Sequence, residues 1–397
     1  MKVNDHKRYQ RDRSWPEFVS LCMLLQLLFV STPALAQQQS IDRGSVERSL
    51  LPVLGYTSDS GLFGGALWQR NEYSGQRELY DNRQLIQLLA STRGELGLQV
   101  EHERVATPFQ PTRFRTVLDL ERVPFQPYFG IGNETGFNSS NYESGYYDYL
   151  HRAAEWSGEW RRTIVRFGDD PASSELDVTA LLQTGWYKPG SNGEGTLFQS
   201  HYPESGDTNW IQMAGTGLLL EGRDHEVDPR SGYRIQGDLS LSTPWLLSDA
   251  SFRRVRLDLR HYLPLPFGVT LAQKIAYEGT WGNTPFWMMP TIGNDSALRG
   301  YPLNRFRGRA SIVHLAELRA WLFSILGDEV RLGAQLFMDT GRVFSSGEGF
   351  RELPDGLHQT FGVGGSMTLF HPDLIFRGDL GFSEEMFRIY AGIGYLF

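Results

Sequence analysis

Cysteine is nearly absent, with Cys22 the only one in 397 residues. That excludes a disulfide scaffold and a cysteine-based zinc site. Lysine is almost missing too: Lys2, Lys7, Lys188 and Lys274 stand beside 34 arginines. The net charge of −8 provides no basic excess and speaks against nucleic-acid binding as the main function. Beyond residue 36 no window holds 18 apolar residues in a row, so no spanning helix is expected. The chain is instead rich in glycine, 43 residues, and in aromatics, 13%. With 40% hydrophobic and 21% charged residues it is too polar for a helical membrane protein and too aromatic for a disordered one. Two classes remain, a large soluble β domain and an outer-membrane β-barrel.

The first 36 residues read as an export signal. Lys2, Lys7, Arg8, Arg11 and Arg13 form a basic stretch ahead of the apolar residues 18–30, and Ala34-Leu35-Ala36 supplies a small-x-small cleavage signature. Cleavage is expected near Ala36/Gln37, leaving a short periplasmic segment, 37–49, ahead of a barrel over 50–397. An apolar stretch of about 13 residues falls short of the roughly 20 that a permanent helical anchor needs. Leu21 precedes Cys22 where lipidation would want a small residue. Removal of 1–36 takes the net charge to −10 and leaves a cysteine-free chain that needs no oxidant to fold.

Beyond the signal, side chains alternate with period two. Val330, Leu332, Ala334, Leu336 and Met338 share one face of a strand, and Arg331, Gln335, Phe337 and Asp339 the other. Val255, Leu257 and Leu259 alternate with Arg254, Arg256, Asp258 and Arg260. A soluble sandwich also alternates. Here, however, arginines and acids recur on the second face of strand after strand, as a polar lumen requires. About sixteen strands are expected, an even number, near 50–57, 62–70, 84–92, 95–105, 112–122, 151–162, 176–187, 210–221, 231–242, 251–262, 268–280, 309–323, 329–339, 357–369, 374–382 and 387–397. The long connections 123–150, 188–209, 281–308 and 340–356 all follow odd strands. Most even connections are short, which matches short periplasmic turns and long external loops. On the last strand Phe387, Ile389, Ala391, Ile393, Tyr395 and Phe397 share one face. A terminal aromatic on such a strand is the pattern recognised when outer-membrane barrels are inserted, so Tyr395 and Phe397 are candidate insertion-signal residues.

The stretch Ile292-Gly293-Asn294-Asp295-Ser296-Ala297-Leu298-Arg299-Gly300-Tyr301 resembles the bacterial surface antigen barrel superfamily. That group includes the barrel of the barrel-assembly machinery and the two-partner-secretion transporters. An Arg-Gly-Tyr/Phe tip lies on its long loop between strands 11 and 12, where 281–308 falls here. Phe337, Asp339 and Gly341 match a Phe-x-Asp-x-Gly motif on strand 13, and Glu317 with Arg319 matches a Glu-x-Arg stretch on strand 12. Arg223-Asp224 followed by 228–232, the opening 52–56, and 128–133 resemble further family segments. The resemblance implies an all-β transmembrane antiparallel barrel whose long loop folds into the lumen, with Arg299 paired to Asp339 and Glu317 nearby. The bland alternative is a solvated loop arginine.

Transporting and assembling members carry periplasmic receptor domains, whereas only about a dozen residues, 37–49, precede the first expected strand. A separate periplasmic partner is therefore expected. The remaining expected partners are outer-membrane lipids and the barrel-assembly machinery for the protein's own insertion, and the barrel is expected to be monomeric. No cofactor is expected. The glycine clusters at 130–132 and 362–365 lack a nucleotide site's strand–loop–helix context. No Gly-x-Ser-x-Gly elbow is present. None of the nine histidines has metal-ligand spacing, so neither a metal nor a catalytic residue is assigned. Asp169-Asp170 reads as a solvated turn. Three functions stay open: a translocation or insertion barrel for protein or lipid, a passive or structural barrel, and an outer-membrane hydrolase.

Overall fold

The computed structural model describes residues 45–73, 80–105, 112–168, 174–203, 209–294, 296–325, 330–369 and 371–397. The expected export signal, most of 37–49 and Asp169-Asp170 lie outside them. Among the described residues sixteen long strands form one antiparallel wall: β1 Val46–Thr57, β2 Gly61–Glu72, β3 Asn82–Ser91, β4 Leu96–Arg104, β5 Thr112–Pro127, β6 Asp148–Arg166, β7 Glu175–Tyr187, β8 Asn209–Glu221, β9 Gly232–Ser242, β10 Phe252–Pro264, β11 Val269–Gly282, β12 Ala310–Ile325, β13 Val330–Phe344, β14 His358–Leu369, β15 His371–Phe382 and β16 Phe387–Ile393. Each pairs with its sequence neighbours in a simple meander. Such pairing costs little loop-closure entropy, because every partner is one hairpin away.

The two faces separate as the alternation demands. On β13, Gln335, Phe337 and Asp339 are buried inward while Leu336 and Met338 are exposed outward. On β12, Glu317 and Arg319 are buried and Leu318 and Leu322 are exposed. A soluble sandwich would bury the apolar face, but here the aliphatic side chains point away from the molecule. The protein is a nearly closed barrel with a polar interior.

Several strands outrun their expected bounds. β5 reaches Pro127, β6 starts at Asp148 and β13 reaches Phe344, so the wall continues beside the long loops instead of stopping at the turn residues. β1 starts at Val46, within the stretch expected to be a periplasmic segment. The last strand is corrected at its end. It stops at Ile393 rather than running to 397, because Gly394 adopts φ +80°, a left-handed conformation that favours glycine and turns the chain. Phe397 is buried inside against Tyr262, Ala272 and Leu315, and Arg319 Nη1 and Nη2 each donate to the Phe397 main-chain oxygen at 3.2 Å. Tyr395 lies beneath the same guanidinium, 4.2 Å from its ring centroid. Neither aromatic continues the outward face of Phe387 and Ile389.

The first and last strands meet without a ladder. The Ser58 N–H donates to the Ile389 carbonyl at 3.3 Å, and the Ile389 N–H donates to Ser58 Oγ at 3.1 Å. Arg388 pairs with Asp59 beside them. No β1–β16 pairing follows among the described residues. The seam is pinned at the end of the barrel that carries the long loops.

Candidate functional site

The loop joining β11 to β12 forms a compact finger. Two short strands, Thr291–Ile292 and Phe306–Arg307, pair to make its stem. Asn294 Oδ1 accepts from the Ser296 and Ala297 N–H groups, an Asx turn that closes the tip. Ile292, Leu298, Tyr301 and Phe306 pack against Val313 on β12 and Val343 on β13, so an apolar underside seats the finger on the inner wall. Gly341 allows the approach: a Cβ there would stand 2.9 Å from Val313 Cγ1 and 3.5 Å from Ile292 Cδ1. The 128–133 segment also joins the finger, its Gly132 N–H donating to the Arg307 carbonyl at 2.7 Å. The long loop therefore lies inside the barrel.

At the tip Arg299 is 0% exposed. Its Nε donates to Asp339 Oδ2 at 2.8 Å and its Nη2 to Asp339 Oδ1 at 2.7 Å, a two-pronged grip on one carboxylate. The Arg299 backbone N–H adds a third bond to Oδ2 at 3.1 Å. Nη1 stands 2.6 Å from Glu317 Oε1 and 3.4 Å from Asp379 Oδ2, while the guanidinium carbon lies 3.4 Å from the Phe337 ring centroid. Burial by itself would lower the Arg299 pKa. The hydrogen bonds to Asp339 and the charges of Asp339, Glu317 and Asp379 outweigh it, so the group is held above its ordinary value. Arg319 shares Glu317 at 2.7 Å, and Arg377 stands 3.3 Å from Asp379. Three guanidinium groups thus face three carboxylates, an arrangement in which burial need not leave a net charge.

Strand parity and the loop motif point to Arg299, Glu317 and Asp339 from the sequence, and the structure brings the three together. Parity and motif do not point to Asp379, Arg377 or Gln335, whose Nε2 bonds Asp379. The usable signal for Asp379 was its parity with Arg377 on β15, a charged inward face like the others.

Gly300 and Tyr301 fasten the tip to the last hairpin. Gly300 has φ +111°, and a Cβ there would fall 2.8 Å from the Phe382 carbonyl carbon, so a side chain is excluded twice over. Its N–H donates to Tyr390 Oη at 3.1 Å, and Ser383 Oγ donates to its carbonyl at 3.0 Å. Tyr301 is buried and donates from Oη to Glu384 at 3.1 Å. Arg305 pairs with Glu385 at 2.7 Å and donates to Thr135 Oγ1 at 2.7 Å. The Leu303 N–H reaches Asp59 Oδ1 at 3.3 Å, the same carboxylate that Arg388 holds at the seam. One finger therefore touches the inner wall, the β15–β16 turn and the β1–β2 turn.

The geometry has counterparts among known proteins. An Omp85 superfamily domain model matches residues 126–397. A crystal structure of BamA from Haemophilus ducreyi lacking POTRA domains 1–3 is 14% identical, with a TM-score of 0.58 over 89% of this chain and 70% of that one. CdiB from Escherichia coli is 11% identical, with a TM-score of 0.60 over 88% of this chain and 63% of its own. CdiB from Acinetobacter baumannii is 10% identical, with a TM-score of 0.51 over 89% and 66%. The chain thus spans less than two thirds of the length of either CdiB. At these identities the likeness is one of fold. No curated protein sequence matches the chain. With the family model covering more than half of its length, and with the inward finger and nearly closed sixteen-stranded wall, the chain belongs to the Omp85 superfamily of bacterial outer-membrane barrels.

Proposed function

We propose that this barrel moves protein or lipid into or across the outer membrane, with the finger as a lumenal plug and Arg299 as the lock that holds it. The observation that carries the reading is the convergence of the finger on the seam. Its tip is tied through Arg299 to β12, β13 and β15, through Tyr301 and Arg305 to the β15–β16 turn, and through Leu303 to Asp59. Displacing the finger would loosen the few contacts that pin β1 to β16, and an unladdered strand edge is a template for another extended chain. Residues 1–36 act in this reading as a removable export signal, residues near Phe397 contribute to the protein's own insertion, and a separate periplasmic partner captures cargo.

The test is depletion of the protein, with outer-membrane proteins and leaflet lipids profiled together. A selective loss of some barrels, or a shift in leaflet lipid composition, supports translocation. Unchanged profiles, with normal growth and envelope integrity, would leave a passive or structural barrel. Deletion of residues 296–303 should also raise single-channel conductance in planar bilayers, and equal conductance before and after would show that the finger does not seal the lumen.

A further inference from the structure

The inner face of β1–β3 carries a partly exposed apolar patch. On β4 and β5 that face carries arginines and acids, with Glu101 and Glu103 meeting Arg113 and Arg115. On β1–β3 the inward positions include an apolar patch, Leu51, Val53, Phe63, Leu67, Leu85 and Leu89, bordered by the polar Glu47, Ser49, Gln69, Asn71, Arg83 and Gln87. The pairings Leu51↔Leu67 and Val53↔Gly65, and Leu85↔Glu101 on the next strand, place them on the lumenal side. None of the apolar six is buried: Leu51 is 45% exposed and the others are half-buried. The outward face of β1 is also apolar, with Leu50 70% exposed and Leu54 beside it. Residues 50–54 read Leu-Leu-Pro-Val-Leu, a continuous apolar run, as is the stretch 61–68 of β2. A strand that is apolar on both faces is one expected to meet an apolar medium on both.

The seam supplies that medium. Counted antiparallel from the Ser58–Ile389 bond, Leu54 stands level with Ile393, where β16 ends and Gly394 turns the chain inward. Among the described residues, therefore, no strand stands opposite residues 46–53 of β1. Eight residues rising about 3.3 Å each at a tilt of about 40° cover about 20 Å, some two thirds of the hydrocarbon thickness. Along this window the outward belt around Leu50 continues around the edge of β1 to Leu51 without crossing a wall of backbone. A water-lined surface of six aliphatic and aromatic side chains would be costly, at roughly 25 cal/mol per Å² left wet.

We propose that phospholipid acyl chains enter the barrel through this window and cover the apolar inner face of β1–β3, making it a lumenal lipid site. The inference goes beyond the plug-and-lock reading and does not depend on it, because it rests on the wall and its edge rather than on the cargo or the finger.

The test uses the full chain in a Cys22→Ser background, so that one introduced cysteine is the sole label site. Leu51→Cys and, one strand further in, Leu67→Cys are labelled with bimane, with Leu50→Cys as the outward control and Ser157→Cys as a polar lumenal control on β6. Each is folded into vesicles of phosphatidylcholine brominated on its acyl chains, and heat-modifiable migration on gels certifies folding. Quenching by bromine at positions 51 and 67 should come within about twofold of position 50 and exceed position 157 at least threefold, while aqueous iodide ranks the sites in the opposite order. Labels at 51 and 67 that iodide quenches as strongly as at 157, with little bromine quenching, would overturn the proposal. Bromine quenching at 51 alone would overturn its extension to β3 and confine lipid to the edge.

Discussion

Replacing Arg299 with alanine removes one of three cations from a buried cluster in which Arg299, Arg319 and Arg377 face Glu317, Asp339 and Asp379. Two guanidinium groups then face three carboxylates, all three of them buried. A lumen filled with water, as the sequence implies, would screen the interaction and leave a coupling of about 1–3 kcal/mol. Full burial of both Arg299 and Asp339 moves the expectation upward: breaking such a pair by removing one partner costs about 3–5 kcal/mol, because a charge is left uncompensated. Asp339→Ala leaves the opposite excess, one cation too many. In the double variant two arginines again face two acids, so it should lose little more than either single variant. The assay is proteolysis within residues 283–309 of the folded barrel, whose rate tracks the population of the released finger when closing outruns cleavage. Each single change should speed cleavage there by about 10² to a few 10³-fold, with the rest of the barrel resistant. A double-mutant cycle then isolates the coupling from separate effects on the wall. Strictly additive losses, or single variants as resistant as the parent, would refute the reasoning.

Gly381→Ala should release the finger from the other side, since a Cβ there would sit 2.7 Å from the Arg299 carbonyl carbon; wild-type cleavage rates would mean that the hairpin yields instead. Phe397→Ala should destabilise the assembled barrel by about 3–5 kcal/mol, as for truncation of a buried aromatic, and should lower its melting temperature on gels. A variant that assembles poorly yet melts normally once assembled would assign Phe397 to insertion rather than packing. Asp59→Ala removes the acceptor shared by Leu303 and Arg388, and a cysteine pair bridging β1 and β16 should then crosslink more slowly. An unchanged crosslinking rate would mean that Ser58 and Ile389 hold the seam alone.

Strand number, strand parity and the placement of long loops were legible because period-two alternation and turn composition are local: each residue's face follows from its neighbours along the chain. Arg299 with Asp339 and Glu317 could be read because the loop motif and the inward parity of both acids agreed. Asp379 could not, since nothing in one sequence selects which inward acid meets an arginine 80 residues away. The alternation of Tyr395 and Phe397 pointed outward and misled, because apolar spacing continues through Gly394 while the backbone does not. There the inner pocket of Tyr262, Ala272 and Leu315, with Arg319 above it, outweighs two more outward positions. The sequence alone determined that this chain builds a wall with one polar and one apolar face, for that is a property of single strands. Only the tertiary structure decided where the wall stays unladdered, which acids surround the finger and which way the tail turns, because those depend on how residues far apart in the chain share space, charge and hydrogen bonds.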